Sequence, residues 1–222
     1  MNSALHMRDD ASVMSCGSAA RVWTVIVPVK STRRGKSRFD VAEGEREALA
    51  LALATDTVLA AMACDAVGEV IVVTDDDDLH LWLPDTVRFE PDPDAGLNAA
   101  IAVGAAAASF QWRAALLGDL PALTPDDLGE ALRMACDVPR GVVADAEGVG
   151  STLVTASAGL AWESMFGPGS FAAHRGMGCV AVDVSAQSSL RRDVDTAAGL
   201  AYAAELGLGV NTAAWRTSYR AA

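Results

Sequence analysis

The sequence predicts a single α/β domain whose central β-sheet is mainly parallel and flanked by helices. Two observations support this prediction. Short apolar segments rich in β-branched residues alternate with longer segments of helical character, and a chain of 222 residues is long enough to bury one sizeable core. Strands separated by helices pair in parallel, because each helix returns the chain to the same edge of the sheet. We assign residues 22–210 to this domain, residues 1–21 to a flexible N-terminal leader and residues 211–222 to a C-terminal tail.

Each element follows from its local sequence. Residues 23–29 (WTVIVPV) and 69–74 (EVIVVT) are continuous apolar runs, as is typical of strands that are buried on both faces. Between them, residues 44–64 favour a helix, because acidic side chains near its start complement the helix dipole and apolar side chains share one face. The later elements are a weak strand at 87–89, a helix from Asn98, strands at 114–117, 141–144, 152–156 and 179–184, and helices at 125–136 and 196–206.

The composition excludes several classes of function. The chain carries 17 basic and 29 acidic residues, and the resulting net charge of −12 repels nucleic acid and anionic lipid over most of the surface. The first 21 residues contain charged side chains and no continuous apolar stretch, so they resemble neither a signal peptide nor a membrane anchor. We therefore expect a cytoplasmic protein that binds neither nucleic acid nor membranes. An anionic ligand then requires a local cluster of cations.

A basic segment directly after the first predicted strand provides such a cluster. Residues 30–38 (KSTRRGKSR) hold five of the 17 basic side chains, among them Lys30, Lys36 and Arg38. In open α/β sheets, ligands bind beyond the carboxyl ends of the strands, which is where this segment falls. Its GKS triplet does not complete a P-loop, because that motif needs a glycine at the position of Lys30. The alternative interpretation is a solvated basic loop.

Carboxylates follow other predicted strands at the same edge. Asp119 lies in the sequence GDLP, and Asp193 and Asp195 alternate in DVDT, so that both side chains of an extended segment project to one side. Three such carboxylates suit hard Mg²⁺ ions that share ligands with substrate phosphates. A pair of turn or cap aspartates before the last helix is the alternative for residues 193 and 195. The denser acidic run at 75–78 is expected to form a solvated turn that starts a helix.

Two loops of small residues are candidates for binding a small anion. In residues 166–174 (FGPGSFAAH), Gly167 and Ser170 stand at an expected helix start. Residues 148–152 (GVGST) offer backbone amides and the hydroxyl groups of Ser151 and Thr152. Simple capping loops are the alternative in both places.

Taken together, these residues resemble the guanylyltransferases that make the phosphate-linked side chain of coenzyme F-420 and that use phosphoenolpyruvate or 2-phospho-L-lactate. The resemblance spans about residues 22–206, and it rests on the order and spacing of Lys30, Lys36-Ser37-Arg38, Gly96-Leu97-Asn98, GDLP, FGPGSFAAH and DVDT. It implies the single-domain nucleotidyltransferase fold, of the nucleotide-diphospho-sugar transferase or GT-A-like type. It also implies transfer of GMP from GTP, the co-substrate, to a three-carbon phosphoacid.

The resemblance implies a role for each candidate residue. The acids that bind two Mg²⁺ ions correspond to Asp119, Asp193 and Asp195. The residues that bind GTP correspond to Lys30, Lys36, Arg38 and Asn98, and the catalytic residues to Lys36 and Asp119. The contacts to the acceptor correspond to Gly167, Ser170 and either Ser151 or Thr152. The choice between the two hydroxyl groups stays open, because GVGST replaces the GTGT of the family.

The choice of acceptor rests on an indirect argument. Actinobacterial members of the family resemble users of phosphoenolpyruvate, whereas archaeal members resemble users of 2-phospho-L-lactate. With 44 alanines among 222 residues, the chain is typical of a GC-rich actinobacterial genome, so we expect phosphoenolpyruvate. The alternatives are 2-phospho-L-lactate, a molybdopterin or sugar phosphate, and a non-catalytic nucleotide-binding regulator. The downstream transferase of the pathway is an expected partner.

Overall fold

The computed structural model describes residues 23–30, 39 and 42–221. Its strands are β1 (Trp23–Pro28), β2 (Val67–Thr74), β3 (Arg88–Pro91), β4 (Trp112–Leu116), β5 (Arg140–Ala144), β6 (Ser151–Ala156) and β7 (Val180–Ala181). Its helices are α1 (Glu43–Ala63), α2 (Leu97–Ala107), α3 (Pro125–Ala135), α4 (Ser170–Gly176), α5 (Ala197–Leu206) and α6 (Val210–Ala221). Within this part of the chain the seven strands form one sheet in the order β3-β2-β1-β4-β6-β5-β7.

Apolar side chains cover both faces of the sheet. All six residues of β1 are buried, and successive side chains of a strand point to opposite faces. On one face, Val25 and Val27 pack in a cluster with residues of α1 and α3. On the other face, Ile26 packs with Ala100 of α2. The sheet is therefore the middle layer between two layers of helices, as its continuous apolar runs predicted.

The sheet is mixed because one internal strand is reversed. Strands β1 to β4 run parallel to one another, whereas β6 runs antiparallel to both β4 and β5. The connection between β5 and β6 has only six residues (145–150), too few for a crossover that would make the two strands parallel. The prediction of a mainly parallel sheet is confirmed, with β6 as its exception. As a result, the first residues of β6 reach the edge at which the parallel strands end.

Most predicted elements are present, and two differ from expectation. The strand expected at 179–184 is reduced to β7, and the segment expected as a C-terminal tail at 211–222 forms helix α6 up to Ala221. The acidic run at 75–78 leads into a short 3-10 helix, Asp77–Leu81, as predicted. The expected leader at 1–21 lies outside the described residues. Within the described residues, every helix is too short or too polar to cross a membrane.

Helix α6 is fastened to α1 by a buried carboxylate. The carboxylate of Asp56 accepts hydrogen bonds from the N–H groups of Asn211 and Thr212 at 3.1 and 2.8 Å, and from the Asn211 side-chain amide at 2.8 Å. These N–H groups belong to the first turn of α6 and have no partner within the helix. A carboxylate also stabilises the positive end of a helix dipole. The contact explains why the C-terminal segment is ordered against α1.

Candidate active site

A close approach between β4 and β1 places Asp119 at the carboxyl edge of the sheet. Gly118 precedes it, and a β-carbon on Gly118 would lie 3.2 Å from the carbonyl oxygen of Pro28 at the end of β1. Glycine therefore lets the GDLP backbone pass directly beside β1. Beyond Asp119, the N–H of Leu120 donates to Thr57 Oγ1 of α1 at 2.9 Å. These contacts fix the GDLP segment at the edge where ligands were expected.

The second acidic segment meets the first through one backbone hydrogen bond. The N–H of Val194 donates to the carbonyl oxygen of Asp119 at 3.0 Å. Asp193 and Asp195 stand on either side of Val194 in the chain, so the structure brings GDLP and DVDT together as predicted.

The residue that follows the basic segment packs near the second acidic segment. The Val194 side chain is buried in a cluster that includes Phe39 and Ala122. Phe39 directly follows the basic segment 30–38 in the chain. At the other end of that segment, Lys30 follows β1 and its side chain is exposed. Lys36 and Arg38 lie outside the described residues, so their contacts to phosphate stay a prediction.

The acidic side chains at this edge repel one another. The pKa of the Asp193 carboxyl is raised to about 7, chiefly by burial and then by the negative charges of Asp119, Asp145 and Asp195. Positive charge bound beside these groups removes that penalty. The oxygen ligands present at this edge are of the kind that Mg²⁺ prefers.

The acids do not form a ready-made metal cage. Among residues 23–30, 39 and 42–221, no group of three Asp, Glu, His or Cys side chains is arranged to hold a metal ion. Mg²⁺ usually takes one or two protein carboxylates and completes its shell with water and substrate phosphates. The arrangement therefore fits an ion that arrives with a nucleotide, and coordination by Asp119, Asp193 and Asp195 stays a prediction.

Asp145 is a residue of this edge that the sequence analysis missed. It follows β5, and its carboxylate accepts hydrogen bonds from the N–H groups of Val149 and Gly150 at 2.9 and 2.6 Å. The guanidinium of Arg191 donates to the Asp145 carbonyl oxygen at 3.1 and 2.7 Å. Because Asp145 stands directly after a predicted strand, the rule that selected Asp119 also selects this residue. It shapes the loop before β6 and adds negative charge near Asp193.

The two small-residue loops meet at the same edge. The N–H of Phe171 donates to the carbonyl oxygen of Val149 at 3.1 Å, which joins the start of α4 to the loop before β6. Gly167 and Gly169 have φ angles of +144° and +71°, in the region that favours glycine. Ser170 is buried at the first position of α4, and its N–H donates to the Gly167 carbonyl at 3.1 Å. The expected helix start at Ser170 is therefore present.

The hydroxyl groups of Ser151 and Thr152 differ in their partners. Ser151 Oγ lies 3.0 Å from Nδ1 of His174. Thr152 Oγ1 is buried and has no hydrogen-bond partner within the described part of the chain. A buried hydroxyl without a partner costs about 1–3 kcal/mol, which a bound group can recover. Thr152 is thus the residue with unused hydrogen-bonding capacity.

The Asn98 side chain is bonded to the segment before α4, and its expected role in binding GTP stays a prediction. Its Oδ1 accepts hydrogen bonds from the Phe166 N–H at 2.9 Å and the Ser164 hydroxyl at 3.0 Å. Its Nδ2 donates to the Phe166 carbonyl oxygen at 2.9 Å. These bonds leave one amide N–H for any other partner. Sequence patterns could not reveal the contact, because Asn98 and Phe166 are 68 residues apart.

Residues 43–167 match the MobA-like NTP transferase domain. The chain is therefore a nucleotidyltransferase, and its mixed sheet has the nucleotide-diphospho-sugar transferase fold. The fold is shared with a homologue of Rv0371c from Mycobacterium sp. strain JC1, at a TM-score of 0.60 and 16% identity over 84% of this chain and 98% of that chain. It is also shared with a protein assigned as a nucleotide-diphospho-sugar transferase from Desulfovibrio desulfuricans G20, at a TM-score of 0.57 and 15% identity over 83% of this chain and 96% of that chain.

Curated relatives define the family more closely. The phosphoenolpyruvate guanylyltransferase of Thermomonospora curvata is 46% identical over 91% of this chain and 92% of its own length. Those of Salinispora arenicola and Streptomyces coelicolor are 48% and 46% identical, over 87% and 86% of this chain and 92% and 94% of their own lengths. The chain belongs to the phosphoenolpyruvate guanylyltransferase family. The resemblance that its motifs indicated is confirmed at the level of family and fold.

Proposed function

We propose that this protein transfers GMP from GTP to phosphoenolpyruvate, which gives enolpyruvoyl-2-diphospho-5'-guanosine and pyrophosphate. The observation that carries the proposal is the hydrogen bond from Val194 to Asp119, because it brings the acids of DVDT and GDLP to one edge. The names of the relatives, which match at least 86% of the chain, support phosphoenolpyruvate as the acceptor.

In the proposed reaction, an oxygen of the acceptor phosphate attacks the α-phosphorus of GTP. A bond forms between that oxygen and the α-phosphorus, and the bond from the α-phosphorus to the bridging oxygen breaks. Pyrophosphate leaves with the electron pair. The second pKa of a phosphomonoester is about 6, so the acceptor is largely dianionic near neutrality and needs no general base. The protein therefore contributes position and charge rather than a nucleophile.

The main obstacle to this reaction is repulsion between the two substrates. Two unit charges about 4 Å apart repel each other by about 4 kcal/mol at an effective dielectric constant of 20. When bound, Mg²⁺ supplies positive charge that neutralises the phosphates and stabilises the transition state. The acids proposed to hold it are Asp119, Asp193 and Asp195. The cations proposed to neutralise the GTP phosphates are Lys30, Lys36 and Arg38, with Lys36 as the catalytic cation.

The acceptor is proposed to bind between the two small-residue loops. Gly167 and Ser170 come from the loop before α4, which is bonded to the loop before β6 through Phe171 and Val149. The Thr152 hydroxyl has no partner within the described residues but is fully buried, so either Thr152 or Ser151 is proposed as the side chain that binds the acceptor. The Ser151 hydroxyl is engaged by His174.

The proposed reaction also belongs to a particular biosynthetic pathway and compartment. The motifs resemble enzymes of coenzyme F-420 synthesis, so we propose that the product enters that route in the cytoplasm. The downstream transferase that consumes the diphosphate product is the proposed partner.

The test is a reaction of the purified protein with Mg²⁺, GTP and either phosphoenolpyruvate or 2-phospho-L-lactate. We expect pyrophosphate release and a guanylylated product, identified by its mass, with GTP and phosphoenolpyruvate. Parallel reactions replace GTP by CTP or ATP, and the downstream transferase is added to draw off an unstable product. Product formed only from 2-phospho-L-lactate, or only from a sugar or molybdopterin phosphate, would identify that compound as the acceptor instead of phosphoenolpyruvate. GTP binding without pyrophosphate release from any acceptor would identify a non-catalytic regulator.

A further inference from the structure

Residues 164–166 lead into residues 167–170, which we call the acceptor loop, and they are held by side chains of two helices. Residues 164–166 form neither a helix nor a strand, yet each of them is bonded to Asn98 of α2 or His174 of α4. Asn98 binds the Ser164 hydroxyl and both polar groups of the Phe166 backbone. The N–H of Met165 donates to His174 Nε2 at 2.8 Å. We call this arrangement, formed by Asn98, His174 and residues 164–166, the clamp.

The His174 ring has a defined proton position. Because the Met165 N–H donates to Nε2, this nitrogen carries no proton and Nδ1 carries it. Nδ1 faces Ser151 Oγ at 3.0 Å. His174 is fully buried, and burial lowers its pKa, which favours the neutral ring. One side chain therefore links β6, α4 and the clamped segment.

The acceptor loop lies between the clamp and a second anchor. Residues 167–170 directly follow Phe166, whose ring packs edge-on against the His174 ring at a centroid distance of 4.9 Å. The next residue, Phe171, donates its N–H to the Val149 carbonyl oxygen. Four residues that are fixed at both ends have little conformational freedom. Their binding groups are therefore held in place before a ligand arrives.

We propose that Asn98 and His174 are positioning residues for the acceptor, which hold residues 164–166 so that Gly167 and Ser170 meet the three-carbon phosphoacid. This inference rests on the proposed function and deepens it. It gives Asn98 a role in positioning the residues that meet the acceptor, in place of the expected role in binding GTP. Loss of the clamp then raises KM for the acceptor and leaves KM for GTP nearly unchanged.

Two substitutions of His174 separate the contributions of the ring nitrogens. His174→Gln keeps an amide oxygen within reach of the Met165 N–H, whereas the shorter His174→Asn keeps only a group near the Nδ1 position. We expect His174→Asn to raise KM for phosphoenolpyruvate about tenfold, and His174→Gln to raise it less. KM for GTP should change less than about twofold.

Asn98 offers a second matched pair. Asn98→Ala removes all the side-chain bonds of the clamp on this side, whereas Asn98→Asp keeps the oxygen that accepts from Ser164 and Phe166 but sets a second carboxylate oxygen against the Phe166 carbonyl, to which Nδ2 donates. We expect Asn98→Ala to raise KM for phosphoenolpyruvate about tenfold and Asn98→Asp to raise it at least as much, because the carboxylate cannot donate and adds negative charge near an anionic acceptor.

Thr24→Val is the control for a general loss of stability. Thr24 is buried near the start of β1, at the edge opposite the site, and donates to Glu69 Oε2 at 2.6 Å. This variant should lose stability while both KM values stay as in the wild type. The proposal is wrong if the clamp variants leave KM for the acceptor unchanged. It is also wrong if they raise both KM values equally.

Amide hydrogen exchange tests the clamp without relying on activity. If the wild-type protein releases no pyrophosphate with phosphoenolpyruvate, the proposed function fails, but the exchange rates still report on the loop. We expect His174→Asn and Asn98→Ala to raise exchange at Gly167, Gly169 and Ser170, and Thr24→Val to leave it unchanged. Unchanged exchange at these three residues in the clamp variants would overturn the inference, even in an active enzyme.

Discussion

At the residue scale, the candidate site contains carboxylates of like charge that repel one another. Asp119, Asp193 and Asp195 belong to two segments joined by a backbone hydrogen bond, and the pKa of Asp193 is raised to about 7 by burial and by the other acids. A fold that served stability alone would not gather three carboxylates at one edge. A pKa as strongly shifted as that of Asp193 is typical of functional sites, where a ligand can supply the compensating charge.

Replacing Asp119 tests the role of its charge. Asp119→Asn keeps the size of the side chain and removes the carboxylate, so we expect pyrophosphate release at saturating substrates to fall by at least about 100-fold. The fold should be retained, as measured by circular dichroism and thermal unfolding. Asp126→Asn, which neutralises an exposed carboxylate in the first turn of α3, is the matched control and should keep full activity. Substantial activity of Asp119→Asn with added Mg²⁺ would contradict the metal-binding role.

Asp193 should reduce the stability of the metal-free protein. Its folded pKa of about 7 exceeds the unfolded value of 3.8, so the native state binds the extra proton between these values and stability falls as pH rises through them. In EDTA at pH 8, we therefore expect Asp193→Asn to be more stable than the wild type by roughly 1–3 kcal/mol. The difference should shrink at pH 5. Urea unfolding measures both values, and equal stability at pH 8 would contradict the repulsion.

The sequence predicted the positions of those candidate residues that lie next to a predicted strand or helix. Asp119 and Ser170 stand directly beyond a predicted strand or at a predicted helix start, so their position followed from the order of elements. The partners of Asn98 and His174 did not, because these contacts join residues 68 and 23 positions apart. Asp145 had the same local mark as Asp119 and was missed. Long-range hydrogen bonds of single side chains leave no periodic trace in a sequence.

At the element scale, the C-terminal helix supports the GDLP segment. The N–H of Gly209 donates to the carbonyl oxygen of Pro121 at 2.7 Å, and Asp56 of α1 caps the following residues. Thr57, the next residue of α1, accepts the N–H of Leu120. Helices α1 and α6 and the GDLP segment therefore form one connected unit. A change in the packing of α6 against α1 is therefore expected to shift the GDLP segment and with it Asp119.

Gly209→Ala should disturb this unit. A β-carbon at this position would lie 2.3 Å from Cγ of Asp56, so the cap on α6 must move. We expect a loss of about 1–3 kcal/mol in unfolding free energy, measured by urea denaturation, and a reduced kcat. Gly44→Ala is the control, because a β-carbon there meets nothing within 4 Å in the first turn of α1. The control should be neutral or more stable by up to about 1 kcal/mol. A Gly209→Ala protein as stable as the wild type would contradict this account.

Two features at this scale escaped prediction for identifiable reasons. The apolar run of β6 predicts a buried strand but not its direction, which the length of the preceding loop decides. Residues 211–222 were expected to form a tail. The sequence did not reveal helix α6, because its stability depends on packing against α1 and on the cap from Asp56. Short helices are marginal without such tertiary contacts.

At the scale of the whole molecule, the net charge of the protein and the charge of the basic segment 30–38 have opposite signs. The net charge of −12 repels anions at a distance, while the five basic side chains of residues 30–38 are proposed to attract GTP nearby. Raising the ionic strength from about 10 mM to about 150 mM shortens the Debye length from about 30 Å to about 8 Å. Salt therefore screens the distant repulsion more strongly than contacts within the site.

We accordingly expect the association rate of GTP to increase with salt over this range. Stopped-flow measurements with a fluorescent GTP analogue give the rate, and a fluorescent analogue of uncharged guanosine is the control whose rate should not change. An association rate that falls with salt would show that the basic segment dominates even at long range.

The hydrogen bond between Asp119 and Val194 also sets an order of events during protein synthesis. Translation proceeds from the N-terminus, so the GDLP segment leaves the ribosome while residues 193–195 and helix α6 have not yet been made. A nascent chain holds only part of the acids of the site. The complete set of acids proposed to bind Mg²⁺ is therefore present only in the last stage of translation, after most of the sheet has been synthesised.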